Sequence, residues 1–196
     1  MNHADQHVIS GLRTLSKPFL AMCLLRVAPQ DLPASYLLLG ITTAAYLVLG
    51  SLLAAVYYPF PSSLLVGATE TALVWSLVAI LLAVHGHLAR LAQTLISITG
   101  TGAVLNGLAL PLSLALVSSN GHGFNADTLQ LLSFALLFWS WTITAHILRH
   151  ALSTRFGAGM AMSIVFFVIT LTLMRALFPE PGGELPLETS SGGLAR

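Results

Sequence analysis

A chain of 196 residues that is 56% hydrophobic and 8% charged, with a mean hydropathy of +0.85, is too poor in charge to be a water-soluble domain, in which about a quarter of residues are charged. Its eight Lys and Arg are scattered singly for a formal net charge of +1, which excludes a nucleic-acid-binding surface. The single cysteine, Cys23, excludes an internal disulfide, and no zinc-type Cys or Cys/His spacing occurs.

The opening MNHADQHVIS is polar and lacks the charged, apolar and small-residue regions of a signal peptide, so insertion is expected to rely on internal spans. From Val8 to Arg26, Leu12, Leu15, Phe19, Met22 and Leu25 recur close to helical spacing, with Arg13, Lys17 and Arg26 among them. Cationic side chains beside an apolar stripe suit a helix lying on an anionic membrane face, with Pro18 as a kink or restart point. Residues 1–34 therefore read as an N-terminal cytoplasmic, interfacial segment.

APQDLPAS, residues 28–35, breaks this pattern, and Asp31 or Ser35 can cap the helix that follows. Five spans are expected in a transmembrane domain over residues 35–178. The first runs from Tyr36 to Tyr58, closing on Tyr57 and Tyr58 at an aromatic belt. YPFPSS then turns the chain tightly into the second, Ser63 to Val84. This second run is apolar almost throughout, yet it holds one carboxylate, Glu70. An acid at that depth costs roughly 2.5 to 3.5 kcal/mol unless it is protonated, paired or facing water. Glu70 is thus the first functional candidate.

A polar link, HGHLARLAQT, carries His85, His87 and Arg90 into a third span from about Leu95 to Val117. There Gly100, Gly102, Gly107 and Pro111 are helix weakeners that also allow close helix approach or free a carbonyl, so this span is expected to be the central, most crowded helix. SSNGHGFNAD, residues 118–127, reads as a loop. The fourth span covers about Leu129 to His150 and the fifth about Gly157 to Phe178. The tail from residue 179, rich in Pro, Gly, Ser and Glu, has too little apolar area to fold alone and is expected to be disordered.

With alternating spans, Arg13, Lys17, Arg26, Arg90, Arg149 and Arg155 share one side, and Arg175 and Arg196 are the exceptions. The positive-inside rule makes that side cytoplasmic, with the N-terminus inside and the acidic tail outside. The fold class expected is all-α: a polytopic integral membrane helical bundle of five transmembrane helices plus an N-terminal amphipathic interfacial helix.

Three constellations carry possible chemistry. Glu70 and Asn106 reach comparable depth from opposite directions and can form a polar latch between spans two and three; alternatively Glu70 is a relay or ion-binding carboxylate. His146 and His150, four apart on one face, and His85 and His87 on the same side offer either metal or haem ligands or interfacial side chains. The Trp and Phe residues of the last spans read as packing and lipid contacts. The chain has no GxSxG, no phosphate-cradling GxxxxGK[ST] and no paired carboxylates for acid–base work, so neither an enzyme nor a resident cofactor is expected.

The stretches LLRVAPQDLPAS, QTLISITGTGAVLNGLALPLSL and WSWTITAHILRHAL, within residues 26–178, give a layout that resembles the Yip1 family of small five-span membrane proteins in its bacterial branch. That resemblance implies a helical bundle with a cytosolic N-terminal segment and a last span ending on the far side. Members are associated with membrane trafficking in eukaryotes, and the family supplies no catalytic residue to carry over. The expected function is a non-enzymatic scaffold or accessory subunit of the bacterial inner membrane, its partners being the lipid bilayer and other membrane proteins or itself. The alternatives are a proton, ion or lipid transporter using Glu70 and a haem or metal carrier using His146 and His150.

Overall fold

The computed structural model describes residues 17–119 and 124–179, with side chains from residue 126 onward in the second stretch. Helix α1 covers residues 17–23, followed by a 3-10 turn at Pro29–Asp31, α2 Tyr36–Ala54, α3 Ser62–Val84, a second 3-10 turn at Leu88–Arg90, α4 Leu91–Ser118, α5 Phe124–Ala151 and α6 Phe156–Leu177. Five of these helices are long and apolar enough to cross a bilayer. Their outward faces carry Leu37, Ile80, Leu131 and Val168, which lipid solvates without penalty. The protein is an all-α, multi-pass membrane bundle.

Local chemistry sets where the helices stop and start. Ser35 opens α2 by accepting the Leu38 N–H at its hydroxyl, whereas Asp31 instead accepts the Ala28 N–H and closes the 3-10 turn. The first span ends at Ala54 and not at Tyr58, because Val56 and Tyr57 bond back three residues and tighten the chain out of the α-helix. The third and fourth spans run Leu91–Ser118 and Phe124–Ala151, so residues 118 and 124–127, expected in the loop, are helical. Pro111 is exposed inside α4, which continues through it.

At the end of the bundle where α1, α3 and α5 finish, the same reversal stops all three. Leu25 (φ 59°), Gly86 (φ 72°) and Ser153 (φ 55°) take the left-handed conformation. The next residue in each case, Arg26, His87 or Thr154, donates to the carbonyl of Ala21, Leu82 or Arg149 at 2.8 to 2.9 Å. These are Schellman closures, and only at Gly86 is the residue free of a Cβ penalty. Arg26, Arg90, Arg149 and Arg155 all lie near this end, which we call the basic end.

The helices form a ring: α3 beside α2, α2 beside α4, α4 beside α5, α5 beside α6, with a thinner contact from α6 back to α3. Packing is tight toward the basic end. Met22, Val78, Leu82, Leu95, Ile96, Ile143, Ile147 and Leu148 are almost fully enclosed there. Residues 94–101 of α4 are buried on every side, while from residue 104 onward the helix opens outward. Span three is thus central for half its length.

The described part of the N-terminal helix rests its buried face on protein, and residues 8–16 of the amphipathic stretch expected over residues 8–26 lie outside the described residues. Phe19, Met22 and Cys23 are enclosed while Lys17, Leu20 and Leu24 stay exposed. The Phe19 ring occupies the notch left by Gly100, and the Tyr46 ring takes the next one, where a Cβ on Gly102 would come within 2.5 Å of it. The closest backbone approaches lie elsewhere, at Gly67 of α3 against Ser51 of α2 and at Gly159 of α6 against Ala145 of α5. Gly107 has only Leu49 nearby, at 3.9 Å.

Candidate functional site: an intramembrane polar cluster beside a cleft

Three helices bring a phenol, a carboxyl and an amide together in the apolar interior. Counting 1.5 Å per residue, Tyr46 lies roughly 15 Å into α2 from the basic end, Asn106 roughly 22 Å into α4, and Glu70 roughly 12 Å into α3 from the opposite end. Glu70 and Asn106 converge on Gly50. A Cβ there would stand 3.4 Å from Asn106 Nδ2 and 3.8 Å from Glu70 Oε2, so the glycine leaves the space into which both groups point.

The Tyr46 hydroxyl donates to Glu70 Oε1 at 2.7 Å, the length of a charge-assisted or strong neutral hydrogen bond. The expected meeting of Glu70 and Asn106 is therefore a shared location without a hydrogen bond, and the partner of the acid is Tyr46. Order along the chain does not encode which helices lie side by side, so a tyrosine on span one gave no sign of facing span two. One signal was present: Tyr46 and Gly50 are one turn apart and face the same way.

Asn106 Nδ2 is buried and has no acceptor. In the same region Thr43 Oγ1, Ser51 Oγ and Trp75 Nε1 are also buried without partners. One turn toward the basic end, Thr42 and Thr99 bring their hydroxyls to 2.9 Å, and each also donates within its own helix. Orphaned polar atoms in an interior normally mark strain, bound solvent or a ligand.

Asn106 also lines a cleft of about 210 Å³ between the outer halves of α4 and α5. Its walls are Leu105, Ala109, Leu112 and Ser113 on α4 and Ser133, Leu136, Leu137 and Ser140 on α5. Ser133 and Ser140 donate to carbonyls of their own helix, so they present little beyond their small size. Chemically, the cluster can hold a proton on Glu70 and satisfy a polar visitor at Asn106. The cleft can receive an apolar body with one hydrogen-bonding group.

The histidines take other positions. His146 and His150 touch ring to ring with centroids 4.7 Å apart, and His146 Nε2 lies 3.3 Å from the Val27 carbonyl. His85 bonds to the Leu81 carbonyl of its own helix. Among the described residues no group of three or more His, Cys, Asp or Glu gathers to hold a metal ion, so His85 and His87 do not join His146 and His150 in one ligand set. Arg90, legible in the sequence only as a topology signal, has a defined task. Its Nη1 reaches the carbonyls of His150 and Ala151 and the hydroxyl of Ser153 at 3.2, 3.0 and 2.7 Å, capping the end of α5. Arg26 is exposed at the same end, Lys17 is exposed at the start of α1, and Arg13 lies outside the described residues. Cys23, beside α4 but outside the spans, has its thiol pushed up to about 11 by burial.

No protein-family model, no curated protein and no solved structure matches this chain. The class is set by the helices themselves: a multi-pass integral membrane protein.

Proposed function

We propose that this protein is a non-enzymatic scaffold or accessory subunit of a membrane complex, Yip1-like in layout, set in a bacterial inner membrane with its basic end in the cytoplasm. The observation that carries this reading is the α4/α5 cleft. Ala109, Ser113, Ser133 and Ser140 line it with small side chains, and Asn106, with its amide nitrogen unpartnered, stands at its inner end. In lipid, helices associate through small residues that admit close backbone approach and through amide hydrogen bonds, because there is no hydrophobic force between them. The occupant that suits the cleft is a ridge of side chains on a transmembrane helix of another chain. The tight basic half of the bundle would hold the two walls at a fixed separation.

The test is crosslinking from a photoreactive residue at Ser133, combined with purification in mild detergent. A stoichiometric companion should crosslink there, and Ala109→Leu, which fills the cleft, should release it while leaving the protein monodisperse. A wild-type protein that carries no companion, or one unaffected by Ala109→Leu, contradicts the reading.

A second reading, proton or ion passage with Glu70 as the titrating group, is favoured by the unpaired Asn106 amide lying beside the acid at Gly50. Glu70→Gln separates the two: a latch accepts a neutral hydrogen-bonding side chain, and a relay loses its flux in proteoliposomes while the protein still inserts.

A further inference from the structure

The turn joining α5 to α6 gathers cations that have no anionic partner. Arg149 runs across the first turn of α6, its Cζ 5.7 Å from the centre of the Phe156 ring and its Cβ against Gly159. Its Nη2 lies 3.2 Å from His150 Nε2, and its Nε is buried with no acceptor at all. Thr154 Oγ1, in the same turn, is also buried without a partner. Arg155 is exposed just before α6, and Arg90 is bound into the same turn through Ser153. The carboxylates among the described residues are Asp31, Glu70 and Asp127, and only Asp31 is near this end. Asp31 interacts electrostatically with His150 and accepts the Ala28 N–H at 3.0 Å, and no ion pair to Arg90, Arg149 or Arg155 forms among the described residues.

Guanidinium groups held at a membrane–water boundary without a carboxylate are matched by phosphate, whose oxygens take the planar fork at two points. Their position at a span terminus is that of a phospholipid headgroup. Arg155 is exposed at the turn, and around Gly157, in the first turn of α6, nothing lies within 4 Å of where a Cβ would stand. We propose that the α5–α6 turn is a phosphate-binding site, with Arg149 and Arg155 as its principal ligands and Arg90 fixing the turn's shape. The phosphate is that of an anionic phospholipid or free inorganic phosphate.

The experiment is native mass spectrometry of the full-length protein released from nanodiscs containing phosphatidylglycerol and phosphatidylcholine, with inorganic phosphate added in a parallel series. Wild type should retain phosphatidylglycerol preferentially, and the Arg149→Gln/Arg155→Gln double variant should lose that preference by roughly fivefold for each charge removed. Arg149→Lys, which keeps the charge and loses the fork, should lose part of it. Lys17→Gln/Arg26→Gln, which leaves every residue of the turn in place, should leave it intact. Retention that resists inorganic phosphate assigns the site to a lipid headgroup; phosphate adducts that displace lipid, and that vanish in the double variant, assign it to the free ion. Absence of both, or retention lost equally in the Lys17/Arg26 control, overturns the proposal. Size-exclusion profiles of each variant show that a folded protein is being compared.

Discussion

The Tyr46 hydroxyl lies 2.7 Å from Glu70 Oε1, joining α2 to α3 by a side-chain hydrogen bond deep in the bilayer interior. The bond answers the cost of placing an acid in hydrocarbon, since it supplies a donor that lipid cannot. Tyr46→Phe removes that donor and leaves the carboxyl unpartnered, so a loss of about 1 to 3 kcal/mol is expected. Thermal unfolding followed by size exclusion in detergent reads it. Glu70→Gln should cost less, because an amide oxygen still accepts from Tyr46, and an equal or larger loss in Glu70→Gln would argue against the latch.

Gly67 and Gly40 provide a matched pair of alanine substitutions. A Cβ on Gly67 would meet the Ser51 backbone nitrogen at 2.9 Å, and backbone cannot swing aside as a side-chain tip can. Gly40 has nothing within 4 Å. Gly67→Ala should therefore destabilise by about 1 to 3 kcal/mol through overpacking, while Gly40→Ala is neutral or slightly stabilising. The same unfolding assay compares them, and two indistinguishable variants would mean that α2 and α3 do not approach as described.

How much of this was readable beforehand differs by level. The spans were legible, because runs of Leu, Val, Ile and Ala state their solvent directly, and Glu70 stood out against them. Lateral pairing was not, since hydropathy places a residue at a depth without saying which helix it faces. Hence the expected Glu70–Asn106 latch is no bond, the two sharing only the space at Gly50, while Tyr46, the actual bond partner, read only as part of its span. Gly67, which carries the closest α2/α3 approach, gave no sign of it in a uniformly apolar run. The docking of α1 was hidden for the same reason: an apolar stripe fits lipid and protein equally well, and only the notch at Gly100 decides between them.

Arg90 closes α5 by three contacts, to the carbonyls of His150 and Ala151 and to the hydroxyl of Ser153. Arg90→Gln should weaken that end by about 1 to 3 kcal/mol and raise hydrogen exchange in residues 150–155 before the rest of the bundle. Uniform exchange across all helices in that variant would show that the cap is not local.

Cys23 reports whether α1 is seated. Its thiol is pushed up to about 11 by burial, so the folded state holds the proton more tightly than the unfolded chain does. The sign follows: this contribution to stability is complete at neutral pH and is lost as pH rises from about 9 toward about 11. Alkylation at pH 8 should be slow in wild type and accelerate in Gly100→Leu, which displaces Phe19 from its notch. Rapid alkylation of the wild type at pH 8 would show that α1 is not docked.

Five helices cross the bilayer with their basic links on one side. Single cysteines at Gly86, between α3 and α4, and at Ser119, at the end of α4, in a Cys23→Ala background, test it with a membrane-impermeant maleimide on intact cells. Ser119→Cys should be labelled at once and Gly86→Cys only after permeabilisation; labelling of both from the same side would contradict the architecture.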